Sequence, residues 1–210
     1  MRKDKFTNIF LNNIWWNAES ISGDGSTIDY TSSIRKHLPK LITELKVKNI
    51  FDAGCGDYNW FKEIDIPKEL NYTGADIVEE LIVDLKDKYE QKNINFIQFD
   101  LVEDKLDKFD LVICRDVLFH LPHADKIKFL SNFVTSNSKY LLTTSSKSEN
   151  YTDFKNDDIP EPGWWSPVDL FMEPFSFPTD PVYKIDDVDK YLCLWTNDQI
   201  YGSLLKIELW

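Results

Sequence analysis

Glycines and carboxylates crowd one short stretch, Asp52-Ala53-Gly54-Cys55-Gly56-Asp57. Gly54 and Gly56 can adopt positive φ and let a ligand approach the backbone closely. Asp52 and Asp57 place an anion on either side of that turn, a poor environment for a pyrophosphate and a good one for a cation. Asp76 follows Gly56 by twenty residues, the spacing at which an acid accepts hydrogen bonds from ribose hydroxyls; it could also cap the helix that starts near Val78. Asp100 is a further acid after an alternating run, with a surface-loop role as its alternative. Arg115-Asp116-Val117-Leu118-Phe119-His120 gathers a guanidinium, a carboxylate and an imidazole within six residues. His120 can take a proton from a substrate hydroxyl, with Asp116 as the candidate that orients it, or it can be a structural imidazole bonded to backbone. Arg115 could hold an anionic group.

Holding these residues together requires strands that end at one edge. Asn49–Ala53 is a short apolar run without alternation, as in a strand covered on both faces. The glycine turn follows it, and Tyr58 to Ile64 is expected to open a helix. Asn71–Asp76 reads as a second strand, Asn95–Phe99 as a third, Lys108–Cys114 as a fourth and Lys139–Thr144 as a fifth. Helical spacing separates them, with Val78, Leu81, Ile82, Leu85 and Tyr89 on one face and Ile127, Leu130, Phe133 and Val134 on another. Ahead of the first strand, Ile34, Leu38, Leu41, Ile42 and Leu45 mark a helix containing Pro39. Lys190–Thr196 and Tyr201–Trp210 read as two closing strands, joined tightly enough to be antiparallel. Alternating strands and helices predict a doubly wound α/β sheet of seven strands, Rossmann-like. In such sheets ligands bind beyond the carboxyl ends of the strands, where the strand order reverses. Strands one and four flank that point, and they carry the glycine turn and the Arg115–His120 segment.

A dinucleotide turn would need a third glycine where Asn59 stands. Asp52-Ala53-Gly54-Cys55-Gly56-Asp57 instead resembles the first motif of class I S-adenosylmethionine-dependent methyltransferases. The Cys114-Arg115-Asp116-Val117-Leu118-Phe119-His120-Leu121 segment is similar to their motif after strand four. The resemblance spans roughly residues 34–145 plus the closing pair of strands. It implies S-adenosylmethionine as cofactor and S-adenosylhomocysteine as product. It implies a cofactor site built from Asp52, Gly54, Cys55, Gly56, Asp57, Asp76, Ile77, Asp100, Leu101 and Arg115, with Asp100 at the adenine amino group. His120, Asp116 and Arg115 are the catalytic candidates. Together with Gly23-Asp24-Gly25-Ser26 and Pro174-Phe175-Ser176-Phe177-Pro178, these segments also resemble a group of small bacterial methyltransferases, some from surface-polysaccharide gene clusters.

Two segments lie outside the repeating pattern. Residues 1–33 carry Trp15, Trp16 and a Ser/Gly turn, and read either as an arm packed on the domain or as a lid. Residues 146–189 contain six prolines interleaved with Trp164, Trp165, Phe171, Phe175 and Phe177. A segment of this length and composition reads as a substrate cap. The 210 residues are most simply one domain.

Composition narrows the partners. The net charge of −12 disfavours nucleic acid, and the lack of an Asn/Asp-Pro-Pro-Tyr/Phe tetrad after strand four disfavours base methylation. No apolar run is long enough to span a bilayer, and no signal peptide is expected. Cys55, Cys114 and Cys193 fit neither a disulfide framework nor a metal site, which points to a cytoplasmic protein without a metal. The expectation is a monomer or homodimer that O-methylates a small molecule: a sugar, a phosphate or a carbohydrate-linked precursor. An NAD-dependent oxidoreductase and a non-catalytic cofactor-binding scaffold are the alternatives.

Overall fold

A computed structural model describes residues 2–207. The chain opens with α1 (Arg2–Leu11) and α2 (Ser32–Glu44). It continues through β1 (Asn49–Ala53), β2 (Asn71–Asp76), α3 (Glu79–Tyr89), β3 (Ile94–Gln98), β4 (Leu111–Cys114), α4 (His123–Thr135) and β5 (Tyr140–Ser146). It closes with β6 (Tyr183–Asp186), β7 (Lys190–Thr196) and α5 (Asn197–Ile207).

The seven strands form one sheet in the order β3-β2-β1-β4-β5-β7-β6. Strands β1 to β5 run parallel, and β7 pairs antiparallel with both β5 and β6. The order reverses between β1 and β4, whose carboxyl ends open the crevice. Successive residues of β1 enter opposite cores. Ile50 belongs to the core that holds Leu38, Leu81 and Tyr72, and Phe51 to the one that holds Phe129, Leu141 and Trp195. Both are at most 1% exposed, so β1 is covered on both faces and its burial runs without alternation from Ile50 to Ala53.

Three expectations are corrected. Residues 201–207 belong to α5, not to a final strand. Ile200, Ser203 and Leu204 recur at helical spacing and are buried, with Leu204 set against α4 and β7. Residues 208–210 lie outside the described residues. The edge strand is β6, which falls inside the stretch read as a cap. Finally, Tyr58 to Ile64 forms a turn and a single 3₁₀ turn at Phe61–Glu63. Tyr58 has a φ of 59°, and Tyr58, Trp60 and Phe61 are all buried, so the segment cannot show one apolar face as a surface helix does.

Pro39 lies inside α2. The remainder of residues 146–189 is largely anchored in the sheet's second core through Val168, Leu170, Phe175 and Phe177. From this segment Ser146, Tyr151, Trp165 and Asp189 line the crevice. Among the described residues, no helix is long and apolar enough to cross a membrane.

Candidate active site

A cavity of about 530 Å³ lies at the carboxyl ends of β1, β2 and β4. Its floor is the glycine turn. Gly54 and Gly56 have φ of 79° and 55°. A Cβ at Gly54 would meet Val117 at 2.4 Å, and one at Gly56 would meet Ser22 at 2.3 Å. The turn is therefore closed to side chains and remains a bare backbone cradle. Its N–H groups are all partnered within the chain. Gly54 and Cys55 donate to the Ala75 carbonyl, at 2.8 and 3.0 Å. Gly56 donates to Asp76 at 3.3 Å and Asp57 to Ser22 Oγ at 2.9 Å. Cys55 is buried against the turn, and burial raises its thiol well above the ordinary range.

Asp52 sits 2% exposed at the end of β1. Burial pushes its carboxyl up to about 7, against the Tyr72 hydroxyl, which donates to it at 2.8 Å, and the charge of Arg115. Asp76 ends β2 and also accepts from the Val78 N–H at 3.0 Å, so it holds the start of α3 as well as the turn. Burial raises its carboxyl too. Ile77 and Leu101 contribute apolar wall to the cavity beside Asp76 and Asp100.

Two predicted cofactor acids are engaged by the N-terminal segment. Asp57 is not on the cavity wall. Its carboxylate accepts from Ser20 Oγ at 2.9 Å, the Ile21 N–H at 3.0 Å and Ser22 Oγ at 3.3 Å. Asp100 lines the cavity but pairs with Arg2 Nη1 at 2.9 and 2.7 Å. Arg2, Phe6, Trp15, Ser22, Gly25 and Tyr30 all line the cavity. Side chains of the segment before α2 thus form part of the cavity wall.

Beyond the turn, Asp116 has a φ of 58°, an uncommon backbone state of the kind that clusters at functional sites. Its carboxylate meets Arg115 at 2.9 Å, Lys190 at 2.6 Å and the Thr144 hydroxyl at 2.9 Å. Burial opposes its charge, but Arg115 and Lys190 outweigh that and hold the carboxyl below its usual range. Arg115 is buried over the Trp60 ring, and its Nε and Nη2 have no hydrogen-bond partner. The Tyr30 hydroxyl donates to Asp189, and Lys190 lies 4.6 Å from the Tyr30 ring. Sequence reasoning missed Lys190, Asp189, Tyr30 and Tyr72. Nothing in their local pattern marks them, because pairings across 74 to 159 residues bring Lys190 and Tyr30 to their acids.

Asp116 does not orient His120. His120 Nδ1 lies 2.9 Å from the Trp164 carbonyl. A carbonyl only accepts, so Nδ1 carries the proton and Nε2 keeps its lone pair. Trp15 stacks on the ring with centroids 4.5 Å apart. Burial lowers the imidazole to about 4, so it is neutral at pH 7. His120 lines the cavity.

The donor and acceptor set fits S-adenosylmethionine. A bare glycine cradle, apolar walls and an excess of carboxylates suit an adenosyl group that carries a sulfonium and an ammonium. No cluster of metal-ligating side chains occurs among the described residues.

Residues 50–136 match a family model described as a methyltransferase domain. A search of curated protein sequences found no match. Among solved structures, magnesium protoporphyrin IX methyltransferase from Synechocystis PCC 6803, with S-adenosylhomocysteine bound, is similar at a TM-score of 0.58 and 14% identity, covering 92% of this chain and 97% of that one. The N-methyltransferase NodS from Bradyrhizobium japonicum WM9 is similar at 0.57 and 15% identity, covering 80% and 97%. The methyltransferase domain of bacterial CtHen1 is similar at 0.58 and 14%, covering 80% and 99%. Residues 50–136 thus match a methyltransferase domain, and the strand order and glycine turn give the chain the fold of class I S-adenosylmethionine-dependent methyltransferases.

Proposed function

We propose that the protein methylates a hydroxyl of a small, uncharged polar acceptor, a sugar or a carbohydrate-linked precursor, with His120 as the base. The tautomer of His120 carries this reading: with Nδ1–H given to Trp164, Nε2 is left free to accept a proton. The sulfonium supplies an activated methyl group, and the protein supplies orientation and electrostatics. A base near 4 is weak toward a resting hydroxyl. The hydroxyl proton becomes far more acidic as the oxygen is alkylated, so a neutral imidazole suffices late in the step.

The cavity's charges favour a neutral acceptor over a phosphate. Six aspartates line it against only three cations, Arg2, Arg115 and Lys190. The cofactor's net positive charge offsets part of that excess, and an anionic acceptor would meet the rest. A mixed wall of Trp15, Phe119, Tyr151 and Trp165 beside Lys190 and Asp189 offers a ring face and hydroxyl partners together. Asp52, Asp76, Asp100, Ile77 and Leu101 form the cofactor end, and residues 2–33 act as its lid. The Trp164–Trp165 stretch supplies the acceptor wall. The chemistry belongs in a reducing cytoplasm, consistent with three free, buried cysteines.

The test is methyl transfer from labelled S-adenosylmethionine to a panel of free sugars, sugar nucleotides, sugar phosphates and amines, followed by His120→Ala on the best acceptor. Loss of kcat by roughly 10²–10⁴-fold with unchanged cofactor affinity is expected. Unchanged turnover removes the base role. Turnover on amines or phosphates alone removes the proposed acceptor class.

A further inference from the structure

We propose that Trp15 is a positioning residue for His120, fixing the plane of the imidazole so that Nε2 meets the acceptor hydroxyl. This rests on the base role proposed above. The indole and imidazole centroids are 4.5 Å apart, and the planes are 24° from parallel. Phe119 meets the imidazole edge-on at 4.7 Å. The hydrogen bond to the Trp164 carbonyl fixes one atom of the ring but not its plane, and the second side-chain torsion of histidine is intrinsically broad. A stacked aromatic face supplies the missing constraint.

Trp15 is itself held firmly. Phe6 meets it edge-on at 6.2 Å. The Ile14 N–H bonds the Ile9 carbonyl at 3.0 Å, tying the chain just ahead of Trp15 back onto α1. Gly23, at a φ of 87°, lies so close that an added Cβ would come within 3.4 Å of Trp15. Its neighbour Trp16 is 72% exposed, so the tandem tryptophans divide, one turned into the cavity and one into solvent. The stack joins the lid to the segment after β4, and the hydrogen bond joins the same ring to the Trp164 carbonyl. The base is therefore in place only when lid and cap are both seated. The indole also covers one face of the ring, adding to the burial that favours the unprotonated imidazole.

The experiment combines an NMR titration of the His120 ring, without cofactor or acceptor, with steady-state kinetics of Trp15→Ala and Trp15→Phe. His120 resonances are identified by their loss in His120→Asn. In Trp15→Ala the His120 midpoint is expected to rise from about 4 toward the ordinary value of roughly 6.5. Its kcat is expected to fall on the order of 10–100-fold, as for a misplaced catalytic group, with cofactor affinity unchanged. Trp15→Phe keeps an aromatic face and should restore most of the rate and the low midpoint; it also covers the case in which the alanine variant folds poorly. The proposal is overturned by an unmoved midpoint in Trp15→Ala, or by a loss confined to cofactor affinity, which would make Trp15 only a seal. Failure of the base role appears separately, as full turnover in His120→Ala, and leaves the titration of Trp15→Ala readable.

Discussion

Arg2 holds Asp100 and Asp125 at once. Its Nη1 meets Asp100 at 2.9 and 2.7 Å, and its Nε and Nη2 meet Asp125 at 3.1 and 2.9 Å. One guanidinium therefore fastens α1 to the loop after β3 and to the first turn of α4. The neighbouring pairs Lys3–Glu79 and Lys5–Glu161 are well exposed, and such pairs contribute little. Arg2 is the better-shielded tie between the N-terminal helix and the β3 end of the crevice.

Arg2→Ala should consequently speed cofactor release. A charge-assisted pair contributes about 1.5–3 kcal/mol when shielded. Partial exposure reduces that to about 1 kcal/mol, which corresponds to roughly a fivefold rise in Kd. Stopped-flow tryptophan fluorescence with S-adenosylhomocysteine should show the change in the off-rate, with the on-rate little altered. Tighter binding by the variant would mean that Arg2 competes with the cofactor for Asp100 and does not close over it.

Asp52 makes cofactor affinity depend on pH. Its folded carboxyl titrates near 7, so the anion that faces a cationic cofactor forms only as pH rises through that value. Affinity for S-adenosylmethionine should therefore climb between about pH 6 and 8. In the absence of ligand the sign for stability is opposite. The folded state holds its proton between about 4 and 7 while the unfolded chain has released it, so Asp52 lowers stability progressively across that window. Asp52→Asn should flatten both dependences, raising the Tm of the free protein at pH 8 while weakening cofactor binding. Tyr72→Phe removes a hydrogen bond that favours the anion and should move the affinity rise to higher pH. Calorimetric titrations at pH 6, 7 and 8 decide it; equal slopes in wild type and Asp52→Asn would assign the pH dependence elsewhere.

Strands β1 to β5 were legible because each is a short run, mostly apolar or alternating, that ends in a polar turn. The acids and glycines were legible because each lies at or just beyond the carboxyl end of a parallel strand. The closing hairpin was misassigned for a physical reason. Tyr201 to Ile207 mixes apolar and polar residues within too few positions to separate a period of two from one of 3.6, and burial against α4 decides it as a helix. Asp57 and Asp100 sit beside the glycine turn and at the end of β3 as expected, but the sequence could not show that Ser20, Ser22 and Arg2 return from the N-terminus to take them. Lys190 was hidden for the same reason: its partner Asp116 is 74 residues away. Residues 146–189 read as a cap because prolines and aromatics look alike whether they cover a substrate or fill a core; Phe175 and Phe177 fill the core, whereas Trp164 and Trp165 stay exposed.

Lys126 gives a prediction independent of the active site. It is fully buried on α4, its Nζ has no hydrogen-bond partner, and the Nε2 of nearby His123 is also unpartnered. Burial lowers its ammonium to about 8, with Asp158 and Asp125 opposing that shift from a distance. Below pH 8 both folded and unfolded states carry the proton, and the folded state bears the full cost of an isolated buried charge. Between about 8 and 10.5 the unfolded state binds more protons, so this group makes stability rise with pH in that window. Lys126→Met keeps the aliphatic volume and removes the charge. It should stabilise the protein at pH 7 by about 1–3 kcal/mol, the cost of an unsatisfied buried polar group, and should remove the rise above pH 8. Urea unfolding at pH 7 and pH 9.5 measures both. A destabilised Lys126→Met at pH 7 would show that the ammonium has a partner that offsets its burial; Asp158, whose carboxylate accepts from the His123 N–H at 2.7 Å, opposes the shift more than Asp125 does.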